Sequence, residues 1–225
     1  MREETPSGES DTDVEPSGLV EMLAGEPAAA AVLALCSAER LSVIAERLVR
    51  SPLARSAVRT GLDLSWSAVV GSHGGTGDEL GKAISDLDEL FDSERADVPE
   101  FQSELNHAMC SASYALRAVR EGDRTAAANA VSYCRDQYFQ LAVRAWPRLD
   151  LRALIASPVV QGEVRREVSE ARAIAAWDGA IPAERVESLR QAAHADGEIL
   201  AKLIRGGLGE ADEGSASGSG QESLF

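Results

Sequence analysis

Glu104 and His107 stand three residues apart in a stretch that reads as helix, so the two side chains leave one face a turn apart. Carboxylate-bridged metal centres in helical bundles use two such Glu-x-x-His pairs and a further glutamate from each of two other helices. This chain has one pair, because His194, the other histidine in a helical stretch, has no glutamate three positions before it. A mononuclear site built from His107, Cys110 and a carboxylate is the metal chemistry this face offers, and a half-exposed polar face is the plainer reading. The loop Gly71-Ser72-His73-Gly74-Gly75-Thr76-Gly77 has the glycines of a phosphate cradle. It lacks the lysine and hydroxyl ending and has no strand before it, so it reads as an interhelical loop. No serine sits in a nucleophile elbow. Cys36, Cys110 and Cys134 have no CxxC spacing and fall in apolar helical contexts, so all three read as small core residues. Glu163, Arg165, Arg166, Glu167 and Glu170 read as a charged, solvated helix face with i,i+4 neighbours. None of these groups assembles a catalytic set, and the expectation is a protein without enzymatic activity, metal or cofactor.

The elements that must carry these residues are helices. Hydrophobic residues make up 44% of the 225 and aromatics only 4%, so the core is aliphatic and alanine-rich, a composition that favours packed helices over sheets. Apolar periodicity and Pro, Gly and Ser punctuation predict helices over 27–50, 52–70, 79–93 (capped by Asp78), 98–121, 124–146, 158–177 and 182–204, with a short piece at 149–155. The fold expected is all-α: a single antiparallel helical bundle of about seven helices over residues 27–205. Residues 1–26 read as a disordered acidic arm, with a loose turn at Leu19 to Leu23, and 206–225 as a flexible Gly, Ser and acid linker carrying a peptide motif.

Charge separates these regions. Residues 1–27 hold eight acids against one base and 206–225 hold four acids and no base, while the middle is close to balanced within a net charge of −15. No Lys/Arg-rich run suggests a phosphate-binding surface, so direct nucleic-acid binding is not expected. No apolar run reaches the roughly 18 residues of a membrane span and no signal-peptide pattern opens the chain, so the expected setting is a reducing cytoplasm.

Several short segments, in order and spacing, carry a resemblance. They are Leu35-Cys36-Ser37-Ala38-Glu39-Arg40-Leu41, Leu62 to Trp66, Asp86-Leu87-Asp88-Glu89-Leu90, Asp97 to Phe101, and Ser157-Pro158-Val159-Val160-Gln161-Gly162-Glu163. Over residues 30–177 the chain resembles the YjaG-like family, an all-helical bacterial domain with no established activity. The resemblance implies a compact helical bundle and assigns no catalytic residue. The N-terminal arm, the last helix and the C-terminal segment look like additions to it.

The chain closes on Gln221-Glu222-Ser223-Leu224-Phe225, an apolar pair behind a Gly, Ser and acid stretch. This pentapeptide looks like the bacterial sliding-clamp-binding motif, Q-x-[S/D]-L-F. The resemblance implies that Leu224 and Phe225 are buried anchors in a preformed apolar cleft, Gln221 supplies oriented hydrogen bonds, and Ser223 fits because it is small. The linker 206–220, as a random coil, has an r.m.s. span of about 21 Å, enough for the bundle to sit beside the clamp ring. Ser223-Leu224-Phe225 also satisfies a PDZ-type carboxyl-terminal ligand, and an apolar terminus can serve as a degradation tag, but neither requires the glutamine. The function expected is therefore an adaptor or regulator docked on the sliding clamp (the beta subunit of the replicative polymerase) in replication, repair or phage conflict. The alternative is a helical interaction domain such as an immunity protein that neutralises a toxin.

Overall fold

The computed structural model of the chain describes residues 15–23, 27–48, 51–71, 76–94, 102–177 and 181–206. The expected all-helical fold is found: the described residues form nine helices and no strand. In chain order these are α1 (Pro16–Met22), α2 (Pro27–Leu48), α3 (Pro52–Val69), α4 (Gly77–Glu94), α5 (Gln102–Glu121), α6 (Arg124–Ala145), α7 (Leu151–Ile155), α8 (Pro158–Ala175) and α9 (Ala183–Gly206).

Helix α2 is the axis of the fold, packing against α3, α5, α6, α8 and α9. Every residue from Ala29 to Ala45 is buried, so this helix is apolar all round instead of carrying one apolar stripe. By length and composition it could cross a membrane, which corrects the expectation that no segment reaches that length; here almost all of its apolar window is taken up by the protein core. Within Ala29 to Ala45 the charged side chains are Glu39 and Arg40, and both are buried.

Over residues 16–23, helix α1 and Leu23 correct the expectation of a disordered arm and a loose turn; residues 1–14 and 24–26 lie outside the described residues. Leu19, Val20 and Leu23 are at most 3% exposed and belong to the main core, and α1 packs on α6 and α8. The three lie at i, i+1 and i+4, one side of a single turn, and Pro16 fits the first helical position. Burying three such side chains is worth roughly 5 kcal/mol, which offsets the ordering of one short turn despite the acidic surroundings.

Local signals set the other boundaries. Helix α4 starts from Thr76 and not from Asp78: the Thr76 hydroxyl accepts from Glu79 N at 3.4 Å, and Glu79 returns to accept from Thr76 N at 2.9 Å, a reciprocal capping box. Gly122, with φ 65°, makes the left-handed turn between α5 and α6, a conformation that a side chain would oppose. Asp123, Asp150 and Ser157 cap α6, α7 and α8. The predicted start of the fourth helix, at residues 98–101, and the stretch from Ser72 to Gly75 with His73 lie outside the described residues.

Candidate functional site

The expected partner-binding residues, Gln221, Ser223, Leu224 and Phe225, lie outside the described residues. Within the fold, the chemistry gathers around the two buried charges of α2. Adjacent helical residues point about 100° apart. Glu39 therefore faces α3 and α9, while Arg40 faces α8.

Glu39 is 1% exposed and takes four hydrogen bonds. Arg59 donates to both carboxylate oxygens, at 2.7 and 2.9 Å, Trp66 Nε1 donates at 2.9 Å, and His194 Nδ1 lies 3.1 Å away. Burial pushes the Glu39 carboxyl up, but the charge and hydrogen bonds of Arg59, with those of Trp66 and His194, outweigh it and hold the group below the usual carboxylate value. Arg59 also reaches Asp63 at 3.0 Å, and Arg190 pairs with Asp63. A cleft of about 710 Å³ opens above this network, with Glu46, Glu187 and Glu198 among its walls. Gly197 is what lets α9 come this close. A Cβ there would stand 2.5 Å from the Arg40 carbonyl oxygen and 2.7 Å from Val43 Cγ2. A fully ionised, fully hydrogen-bonded carboxylate is a structural anchor and a poor proton acceptor.

Arg40 is fully buried. Its Nη1 donates to Glu170 Oε1 at 2.6 Å, and its Nη2 lies 3.0 Å from Glu163 Oε1 and 3.4 Å from Ser37 Oγ. Glu163 also pairs with Arg166 and accepts from the Cys134 thiol at 3.4 Å, while Glu167 meets Arg135 Nε at 2.5 Å. Three buried glutamates thus meet one buried arginine, Arg40, and two partly exposed ones, Arg135 and Arg166. Burial, and then the negative charge of Glu163, push the Glu167 carboxyl well up; burial raises Glu170 too, against the pull of Arg40. The Cys134 thiol and the Tyr138 hydroxyl are held protonated by burial and by Glu163.

This corrects the reading of Glu163, Arg165, Arg166, Glu167 and Glu170 as a solvated face. Glu163 and Glu167 are wholly buried and Glu170 is 7% exposed; Arg165 alone of the five is well exposed. Their 163/167/170 spacing follows the same helical stripe as Val160, Val164, Val168 and Ala171, which all face inward. That shared stripe, and a charged pair inside an otherwise apolar helix, were the signals that pointed to a buried network.

The Glu104 and His107 pair does not converge on a common point. Glu104 is buried and pairs with Arg144, whereas His107 Nδ1 lies 3.0 Å from Gln137 Oε1 and its ring tilts against Tyr133. Among the described residues no three His, Cys, Asp or Glu side chains are grouped to hold a metal ion. Cys36 and Cys134 are core residues as expected, but Cys110 is half-buried and lines a cleft of about 280 Å³ with Met109, Tyr114 and Tyr133. Burial pushes its thiol up, so it is not a ready nucleophile.

No family model, no curated protein and no solved structure matches this chain.

Proposed function

We propose that this protein is a non-enzymatic adaptor or regulator that docks on the bacterial sliding clamp through Gln221-Glu222-Ser223-Leu224-Phe225. The pentapeptide itself carries the reading. Leu224 and Phe225 fill an apolar cleft on the clamp, Gln221 makes the directional hydrogen bonds, and Ser223 avoids a clash. The charged groups of the fold support it indirectly. Glu39 is matched by Arg59, and Arg40 by Glu163 and Glu170, which leaves the pentapeptide as the most specific recognition chemistry the sequence offers. In this reading the helices form one antiparallel bundle of the kind that the resemblance of residues 30–177 implies, and the protein works in the cytoplasm. The bundle either carries a second protein to the clamp or keeps other clients from its cleft.

The test is fluorescence anisotropy of a labelled peptide, residues 214–225, against the purified clamp. Micromolar binding, about −8 kcal/mol, that disappears when Gln221, Leu224 and Phe225 are all changed to Ala is the expected result. No binding up to about 1 mM would end the clamp reading.

A further inference from the structure

Seven large apolar side chains are exposed among the described residues, and five of them fall into two patches of opposite charge. Four lie between residues 143 and 155: Val143, Leu149, Leu151 and Ile155. Leu151 and Ile155, 64% and 46% exposed, are four apart on one face of α7. Arg148 and Arg152 are exposed beside them, and neither pairs with an acid among the described residues. Asp150, the acid between them in sequence, is taken up in capping α7, accepting from Ala153 N at 2.8 Å. In a chain of net charge −15 this is a locally basic, apolar platform.

The second patch is a cleft of about 520 Å³ between α3 and α4. Leu53, 70% exposed, and Ala57, Ala83 and Leu90 give it apolar walls, and Asp86 and Glu89 give it an acidic rim. Glu89 has no ion-pair partner among the described residues. Asp86 holds only the exposed Lys82, at 2.6 Å, a pairing weak enough to be exchanged.

We propose that the α7 platform of one copy docks into the α3–α4 cleft of a second copy, a head-to-tail contact between identical chains. Arg148 and Arg152 meet Asp86 and Glu89, while Leu151 and Ile155 cover Leu53 and Leu90. A second copy is the occupant because the chain carries both complementary halves and neither covers the other. Helix α7 packs on α6 and α8, whereas α3 and α4 pack on each other and on α5, with α3 also on α2. A two-fold contact of like patches is excluded by charge, since platform on platform sets arginine against arginine and cleft on cleft sets carboxylate against carboxylate. Nucleic acid and anionic lipid fit half of the pattern: phosphate gains nothing from the acidic cleft. Because the two halves differ, one contact leaves each of its two partners with a free half, so the contact extends to further copies, in open chains or closed rings. The contact is independent of the pentapeptide and stands if the clamp reading fails.

The experiment is sedimentation equilibrium of the full chain at low salt, from about 10 to 500 μM, the range of weak interfaces. The expected result is a weight-average mass that climbs above 23.8 kDa with concentration and falls back when about 0.5 M salt screens the charges. Two variants remove one half each: Leu151→Ser with Ile155→Ser, and Leu53→Ser with Glu89→Ser. All four positions are exposed, and unchanged helical circular dichroism checks that both variants are folded. Each variant alone is expected to stay at the monomer mass. Mixed in equal amounts they are expected to form a pair and nothing larger, through the one intact junction. A wild-type mass fixed at 23.8 kDa throughout, association that survives in either variant, or a mixture that stays monomeric would each overturn the proposal. So would a wild type that stays monomeric while binding phosphatidylglycerol vesicles or duplex DNA through Leu151 and Ile155.

Discussion

Glu163 and Glu167 are one turn apart on α8 and equally buried, yet their neutralisation has different consequences. Glu163 faces both Arg40 and Arg166. Glu163→Gln leaves a fully buried guanidinium with one carboxylate, Glu170, and is expected to cost about 3–5 kcal/mol in urea unfolding at neutral pH. The Glu167 carboxyl is already driven toward its neutral form by burial and by Glu163, so Glu167→Gln is expected to cost about 1 kcal/mol or less. Equal losses in the two variants would refute this division. The same groups set a pH dependence. Glu167 and Glu170 have raised values in the folded state, so their contribution to stability is complete below the unfolded carboxylate value and is lost as pH rises through the folded values. Glu39 has a lowered value, so its contribution is present above the unfolded value and lost as pH falls through the folded one. Glu167→Gln with Glu170→Gln is expected to flatten the decline in urea midpoint as pH rises above the ordinary carboxylate range, while leaving the acid-side loss in place.

At the scale of elements, α2 and α9 touch through a glycine that only the packing explains. Gly197→Ala gains helix propensity of about 1 kcal/mol but puts a methyl group into the Arg40 carbonyl and Val43, so α9 must move off α2. The expected net loss is about 2–4 kcal/mol, seen as a lower melting midpoint. Gly162→Ala is the control: it is also mid-helix, a Cβ there meets nothing within 4 Å, and it is expected to raise stability by up to about 1 kcal/mol. Shifts of the same sign in the two variants would sink the close-contact account. These two glycines also show what the sequence could reveal. Helix spans were legible because periodicity and Pro, Ser and Asp punctuation are local signals. The different roles of Gly162 and Gly197 were not, since a crossing contact depends on a residue more than 150 positions away. Glu163, Glu167 and Glu170 misled for the same reason: their partners, Arg40 for Glu163 and Glu170 and Arg135 for Glu167, come from other helices, and charge taken alone reads as exposure. Helix α1 was masked by its acidic neighbours, although Leu19, Val20 and Leu23 already mark one side of a turn.

At the scale of the whole molecule, the proposed clamp reading places folding and recognition on different stretches of chain, and deletions can separate them. The main core joins side chains from α1 at one end of the sequence to α9 at the other. Helix α1 is part of that core, so a chain starting at residue 24 exposes the surface that Leu19, Val20 and Leu23 cover and is expected to lose roughly 5 kcal/mol. That loss is read as a melting midpoint lowered by many degrees. Leu224→Ala with Phe225→Ala is expected to do the opposite: the midpoint stays where it is, because the core and its buried ion pairs draw on residues 19–204, and clamp capture is lost. Measuring both properties on both variants separates the two stretches. A melting midpoint that falls in the Leu224/Phe225 variant would mean that these side chains pack on the helices, and their loss could no longer be read as loss of a clamp contact. A truncated chain lacking α1 that still melts like the full protein would remove α1 from the core. Clamp capture that persists without Leu224 and Phe225 would move recognition onto the helical surface itself.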